Sequence, residues 1–157
     1  MGVNSVTLVT MDQDPACVFC RIIAGDLPSH TVFENEYCVA FLDVNPVTDG
    51  HVMVVPRHHC GEVEALPAAS YAGVMEGVAR VSAGLRRSLN ASATTIGINN
   101  GPDAGQVVPH VHVHLFPRTP TDGGGSLHAV LRAKTHQSLD EVARGLQAAI
   151  SADFAPT

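Results

Sequence analysis

Histidine alternates with apolar residues in one short segment of this sequence. His110, His112 and His114 are separated by single valines and followed by Leu115 and Phe116. Alternate side chains of a β-strand point to opposite faces, so the three imidazoles would share one face, with neighbours about 6 to 7 Å apart at their Cα atoms. The pKa values of three such rings must be coupled. One neutral ring could then attack a phosphoryl group while a neighbour supplies a proton or a positive charge.

Two other interpretations of this segment stay open: histidines on the solvent face of a surface strand, and a metal-binding cluster. A reactive site is favoured because the alternation is strict and directly follows a glycine- and proline-rich loop over residues 100–108. Glycines allow backbone N–H groups to approach an anion closely without any lysine. By itself such a loop is weak support, because most glycine-rich loops are only turns.

A CxxC pair, Cys17 and Cys20, is the second feature that could do chemistry. The sequence shows no export signal, so its four cysteines are expected to be reduced thiols, with the close pair available to a metal. The alternative is a pair of buried apolar thiols on a short helix. Two thiolates do not complete a structural zinc site, because tetrahedral Zn²⁺ takes four ligands.

Composition limits the classes of function. The chain has 157 residues, 45% of them hydrophobic and 15% charged, as expected for one compact globular domain. A net charge of −6 argues against general nucleic-acid binding, which requires a basic surface. The N-terminal segment carries no positive charge, and no stretch reaches transmembrane length, so we expect a cytoplasmic protein without membrane contact.

The elements that must position these residues follow from periodicity and turn signals. Short strands arrive mostly in sequence and only one long helix interrupts them, which favours an α+β fold with a largely antiparallel sheet. We expect a flexible tail over 1–14, a main domain over 15–118 and a C-terminal extension with one helix over 119–157. The predicted strands are 31–34, 37–43, 51–56, 94–99 and 110–116, and the predicted helices are 15–25, 67–89 and 138–150.

The histidine segment, His110 to Phe116, resembles the His-φ-His-φ-His-φ-φ signature of the histidine triad (HIT) family. Further matches follow the family's order and cover roughly two-thirds of the chain. They are Phe41-Leu42-Asp43-Val44-Asn45-Pro46, Gly50-His51-Val52-Met53-Val54-Val55-Pro56, Ile98-Asn99-Asn100-Gly101 and Ala104-Gly105-Gln106. The resemblance implies a five-stranded, largely antiparallel sheet with a long covering helix, in the Hint-like bacterial branch of the family.

The resemblance also implies an enzyme that cleaves nucleoside 5′-phosphoramidates or related phosphoanhydrides through a nucleotidyl-histidine intermediate. By the family pattern His112 is the nucleophile, and His114 would donate to the phosphate or the leaving group. His51 would lie near His110 and complete a polar relay, and the alternative is a half-buried histidine at a strand end. The alternatives are a dinucleoside polyphosphate hydrolase of the Fhit type and a nucleotide-sensing module with little turnover.

Nine residues are implied in holding a purine nucleotide. Asp43 resembles the ribose-binding carboxylate, and the residues that would form the base slot could instead be ordinary core. Val107 departs from the family, because many relatives carry a serine or threonine there whose hydroxyl can reach the leaving group. The base slot would be Phe19, Ile22, Phe41 and Val44, and the phosphate side would be Asn99, Gly105, Gln106 and Val107.

For the CxxC pair, the resemblance implies a structural zinc site of Cys17, Cys20, His59 and His110, with His58 as the rival of His59. A zinc-bound His110 could not serve the relay with the same nitrogen. Members of the family commonly form twofold dimers, so a homodimer is also implied.

Overall fold

The computed structural model describes residues 12–131 and 135–153, which fall into two compact units that divide between Gly124 and Gly125. The first unit holds a five-stranded antiparallel sheet in the order β1-β2-β3-β5-β4, and the second holds the C-terminal helix. The predicted fold class is confirmed. Residues 1–11 of the predicted tail lie outside the described residues. The strands are β1 (Thr31–Glu34), β2 (Cys38–Leu42), β3 (Val52–Pro56), β4 (Ala93–Gly97) and β5 (Val113–Arg118), and the helices are α1 (Val18–Ile23), α2 (Ala68–Ser88) and α3 (Leu139–Asp153).

Both faces of the central strands are buried, and this creates two hydrophobic clusters. All five residues of β3 are buried. Val54 belongs to the cluster that α2 covers, whereas Val55 belongs to the cluster on the opposite face with α1. The side chains in the α2-facing cluster include Val78, Val81, Leu85, Val111, Val113 and Leu115, and those in the α1-facing cluster include Cys17, Phe19, Cys20, Phe41 and Met53.

Side chains of the histidine segment alternate between these two faces, although the β-strand covers less of the segment than predicted. Pairing between β3 and β5 ends at Val54 opposite Val113, so His110 and His112 lie before the strand and the predicted start at residue 110 is wrong. The segment remains tied to the fold because the Val111 N–H donates to the carbonyl oxygen of Cys60 at 2.8 Å.

The first helix also begins later than predicted, at Val18 instead of Pro15. The Asp14 carboxylate accepts a hydrogen bond from the Ala16 N–H at 2.8 Å, and the Asp14 carbonyl accepts one from the Cys17 N–H at 3.0 Å. These bonds form a turn around Pro15, so the helix can start only after Cys17.

In the second unit, α3 begins with the predicted capping box. The Ser138 N–H donates to the Glu141 carboxylate at 2.9 Å, and the Glu141 N–H donates to the Ser138 hydroxyl at 3.3 Å. Across residues 12–131 and 135–153, none of the helices combines the length and the apolar character needed to cross a bilayer.

Close packing of α2 on the sheet gives a test of the fold. A Cβ atom at Gly77 would lie 2.6 Å from the Cys38 Sγ atom, whereas one at Gly84 on the same helix would meet nothing within 4 Å. We expect Gly77→Ala to lower the free energy of unfolding by about 1–3 kcal/mol through overpacking. Gly84→Ala should raise it by about 0.5–1 kcal/mol, because alanine favours the helix. Urea unfolding measures both, and equal effects of the two substitutions would contradict the packing described.

Candidate active site and metal centre

His112 is held by its own segment. Its Nδ1 atom donates to the backbone carbonyl oxygen of His110 at 2.7 Å, which leaves Nε2 as the nitrogen without a proton. The side chain is buried, and the edge of Phe19 packs against it with ring centroids 5.2 Å apart. The central histidine therefore has a fixed ring orientation and one free nitrogen.

His114 lies beside His112, with ring centroids 4.8 Å apart, and it forms a second pair of rings with His51. Its Nδ1 atom is 2.9 Å from Nε2 of His51, whose Nδ1 atom is 3.4 Å from the Asp43 carboxylate. The expectation that His51 lies near His110 is therefore wrong. Val52 pairs with Leu115, and this register brings the preceding His51 to the His114 end of the segment.

Burial keeps this second pair of rings neutral. Burial, followed by the neighbouring rings of His112 and His51, lowers the pKa of His114 to about 4. Burial also lowers the pKa of His51, against the opposing effect of the Asp43 carboxylate. Phe116 packs against both rings, with centroids 4.4 Å from His51 and 5.7 Å from His114.

His112 and His114 line a cavity of about 450 Å³ on the α1 side of the sheet. Eight of the nine residues implied for nucleotide binding line the same cavity. Sequence reasoning missed others, among them Met53 and Ser29. Alternation along β3 could have identified Met53, because its neighbour Val54 faces the opposite core. The eight are Phe19, Ile22, Phe41, Asp43, Val44, Asn99, Gly105 and Val107.

Gln106 is the one implied residue that is not among those lining the cavity, because its side chain is hydrogen-bonded to backbone groups. Its amide donates to the Gly61 carbonyl oxygen at 2.7 Å, and its side-chain oxygen accepts from the Gly101 N–H at 2.9 Å. The positive φ of +92° at Gly105 is a conformation that glycine adopts most readily. Val107 follows with 91% of its surface exposed, so it lies at the rim of the cavity.

Four possible metal ligands converge next to His110. One ligand atom from each of Cys17, Cys20, His59 and His110 lies within 4.8 Å of all the others. His110 is completely buried, and its Nε2 atom donates to the Pro56 carbonyl oxygen at 2.9 Å, so Nδ1 is free to face the thiols. Burial lowers the pKa of His110 to about 4. Among the described residues the group contains His59 and not its rival His58.

Distances within this Cys/His cluster fit a tetrahedral ion. The two Nδ1 atoms of His59 and His110 are 3.3 Å apart, and three of the four sulfur–nitrogen distances are 3.4, 3.5 and 3.6 Å. With zinc–nitrogen bonds of about 2.0–2.1 Å and zinc–sulfur bonds of about 2.3 Å, a tetrahedron requires edges of about 3.3 and 3.5 Å. The donor set and its spacing therefore suit Zn²⁺.

Comparison with known proteins agrees with this geometry. The model of the HIT domain family matches residues 24–121. Adenosine 5′-monophosphoramidase HNT1 of Saccharomyces cerevisiae is 31% identical over 140 residues, covering 80% of this chain and 86% of that protein. Adenylylsulfatase HINT3 of Arabidopsis thaliana is 33% identical over 121 residues, covering 77% of this chain and 60% of that protein.

Solved structures give the same result. A HIT family protein from Bacillus subtilis has a TM-score of 0.75 at 32% identity, with 90% of this chain and 99% of that chain covered. A Zn-bound histidine triad family protein from Mycobacterium smegmatis has a TM-score of 0.66 at 33% identity, with coverage of 87% and 94%. Because the family model matches more than half of the sequence and the relatives share both sequence and fold, this chain belongs to the histidine triad (HIT) family.

Proposed function

We propose that this protein is a nucleotide hydrolase that cleaves nucleoside 5′-phosphoramidates or related phosphoanhydrides through a nucleotidyl-histidine intermediate on His112. The observation that carries the proposal is the 2.7 Å bond from His112 Nδ1 to the His110 carbonyl, which leaves Nε2 unprotonated in a ring that lines the cavity. The names of the yeast and Arabidopsis relatives, a phosphoramidase and an adenylylsulfatase, support nucleotide hydrolysis.

In the first step the His112 Nε2 lone pair attacks the α-phosphorus and the bond to the leaving group breaks. The imidazole then carries a positive charge, which its Nδ1–H shares with the His110 carbonyl oxygen. In the second step water attacks the same phosphorus, and the phosphorus–nitrogen electron pair returns to His112. Nucleoside monophosphate is the product.

The cavity offers separate surroundings for each part of a nucleotide. Phe19, Ile22 and Phe41 form an apolar wall suited to a purine base, and Asp43 offers a carboxylate to the ribose hydroxyls. The phosphate would lie by His112 and receive backbone N–H groups from the loop that contains Gly105. No lysine or arginine is among the described residues that line this cavity.

That absence of cationic side chains weighs against a dinucleoside polyphosphate substrate, whose leaving group carries several negative charges.

A module that binds nucleotide with little turnover has one observation in its favour. Val107 has no hydroxyl with which to assist a leaving group, and it lines the cavity at its rim. Whether a covalent intermediate forms on His112 distinguishes this alternative from the hydrolase.

We further propose that the Cys/His cluster of Cys17, Cys20, His59 and His110 holds a structural zinc ion. Four protein ligands leave no coordination position for substrate, so the ion would hold α1 against the sheet and take no part in the reaction. Helix α1 has only six residues, which is too short to be stable by itself. The edge of Phe19, between the two thiols in sequence, packs against His112 with ring centroids 5.2 Å apart.

Replacing the nucleophile tests the hydrolase. We expect His112→Ala to lower kcat on the order of 10⁴-fold or more, because the covalent path is lost. Rapid quench with an α-labelled adenosine phosphoramidate should trap label on the wild-type protein and none on the variant. The exposed His128 in the second unit supplies the control, and His128→Ala should trap label like the wild type. Turnover by the wild type without any trapped or kinetically detectable intermediate would contradict the proposal.

Metal analysis tests the zinc site. Protein purified without added zinc should contain about one zinc per chain by mass spectrometry of the metal. Cys20→Ser should lose the zinc and lower the melting temperature. Cys38 offers a matched control, because it is equally buried but its Sγ atom lies near the Gly73 carbonyl oxygen, at 3.8 Å, on the α2 side of the sheet. Cys38→Ser should keep its zinc, and fully active wild-type protein without zinc would refute the site.

A further inference from the structure

Asn100 fastens the glycine- and proline-rich loop over residues 100–108 to a neighbouring turn. Its side-chain oxygen accepts a hydrogen bond from the Val63 N–H at 2.9 Å. Its side-chain amide donates to both oxygens of the Glu64 carboxylate, at 2.8 and 3.1 Å. The hydrogen bond from Asn100 lowers the pKa of Glu64 below its ordinary value. The carboxylate is therefore ionised at neutral pH, and the bond that it accepts is charge-assisted.

The turn that carries Glu64 is a firm point of attachment. Its backbone closes two hydrogen bonds of 3.1 Å over residues 62–66, and Leu66 is buried in the hydrophobic cluster that α2 covers. Upstream of the turn, the Cys60 carbonyl oxygen accepts a bond from the Val111 N–H at 2.8 Å. Glu64 itself is exposed, but its backbone is fixed on both sides. Its carboxylate can therefore hold the loop in one place.

The far end of the same loop reaches the cavity. Gly105 and Val107 line the cavity together with His112, whereas Glu64 and Asn100 are not among the described residues that line it. Backbone N–H groups bind a phosphate when several of them are directed at one point. If the loop has that conformation for only part of the time, its affinity for phosphate falls by the same fraction. An attachment outside the cavity can therefore control binding inside it.

We propose that Glu64 is a positioning residue for the phosphate group of the nucleotide and acts through Asn100 on the loop over residues 100–108. The inference rests on the phosphate site of the proposed function. A carboxylate near an anion site weakens anion binding by repulsion. Water and salt screen the exposed Glu64 charge, so the benefit of a fixed loop outweighs this repulsion. Glu64 therefore strengthens the binding of an anion although it is an anion itself.

The affinities of AMP and adenosine separate the loop from the rest of the cavity, because the two ligands differ only in the phosphate. We expect Glu64→Ala to weaken AMP binding about fivefold, as for the loss of one hydrogen bond, and to leave adenosine binding unchanged. Isothermal titration calorimetry measures both affinities. Equal weakening of the two ligands would indicate a general loosening of the cavity and would overturn the inference.

Glu62→Ala provides the control for charge. Glu62 is exposed like Glu64, and a Cβ atom at Gly101 would lie 3.8 Å from its Oε1 atom, so its charge lies against the same loop. Within the described part of the chain, neither bond from the Asn100 amide goes to Glu62. Glu62→Ala should leave AMP affinity unchanged or raise it. If Glu64→Ala also raises AMP affinity, Glu64 acts only by repulsion and the inference is wrong.

Exchange of the donor and the acceptor provides a rescue. Asn100→Asp would place a second carboxylate against Glu64 and should weaken AMP binding about tenfold or more. Combining Asn100→Asp with Glu64→Gln restores the net charge of the wild type and lets the new amide donate to the new carboxylate. That pair should bind AMP within about twofold of the wild type, because the two substitutions are not additive. A pair that binds no better than Asn100→Asp alone would contradict the proposed attachment.

Labelling of His112 in the quench experiment tests the hydrolase separately. If His112 is never labelled but Glu64→Ala weakens AMP alone, the proposed reaction fails while the role of Glu64 in nucleotide binding stands. If His112 is labelled but Glu64→Ala binds AMP like the wild type, the hydrolase stands and the inference fails. A wild type that binds AMP no more tightly than adenosine would also overturn the inference, because the loop would then contribute nothing to phosphate binding.

Discussion

One backbone carbonyl determines which nitrogen of the central histidine, His112, carries the proton of the neutral ring. The His110 oxygen accepts the Nδ1 proton of His112 at 2.7 Å, and a neutral imidazole with that proton fixed has its lone pair on Nε2. His110 itself cannot turn away, because its ring is completely buried and donates from Nε2 to the Pro56 carbonyl at 2.9 Å. The same residue therefore contributes its ring to the Cys/His cluster and its backbone carbonyl to the proposed nucleophile, His112.

The division of the sheet into two faces makes this arrangement possible. Val111 and Val113 fill the core beneath α2, so the histidines between and beside them are turned toward α1 and the cavity. On the far face of the sheet, the small residues of α2 permit close packing, because Gly77 allows the helix to approach Cys38 closely. A tightly packed core on one face holds the histidine rings in place on the other.

Local patterns in the sequence predict the parts of this site that depend on local geometry. The alternation of histidine with valine predicts a shared face, and the structure has His112 and His114 lining one cavity. The start of β5 could not be predicted the same way, because it depends on where pairing with β3 ends. The location of His51 depends on that register too, so its pairing with His114 has no signal in the neighbouring residues.

Side-chain direction in loops is the other limit of prediction from sequence. Gln106 follows a glycine in a motif typical of phosphate binding, yet its amide bonds to the Gly61 carbonyl, and only the fold brings Gly61 within reach. His58 and His59 are indistinguishable by type and differ by one position. The turn after β3 decides between them by directing His59 Nδ1 to within 3.4 Å of the Cys20 sulfur.

The lowered pKa values of His51 and His114 bear on how this site could accommodate charge. In the proposed reaction, the phosphate would enter a cavity whose described lining has no lysine or arginine, so the ground state would lack a cationic side chain. In the proposed reaction, the ring of His112 would become a cation directly beside the phosphoryl oxygens once it bonds to phosphorus. A protonated His114, with its ring centroid 4.8 Å away, would oppose that charge, whereas a neutral one does not. In the proposed reaction, burial of His51 and His114 against Phe116 would therefore favour the transition state that leads to this cation over the bound substrate, and such differential binding is what accelerates a chemical step.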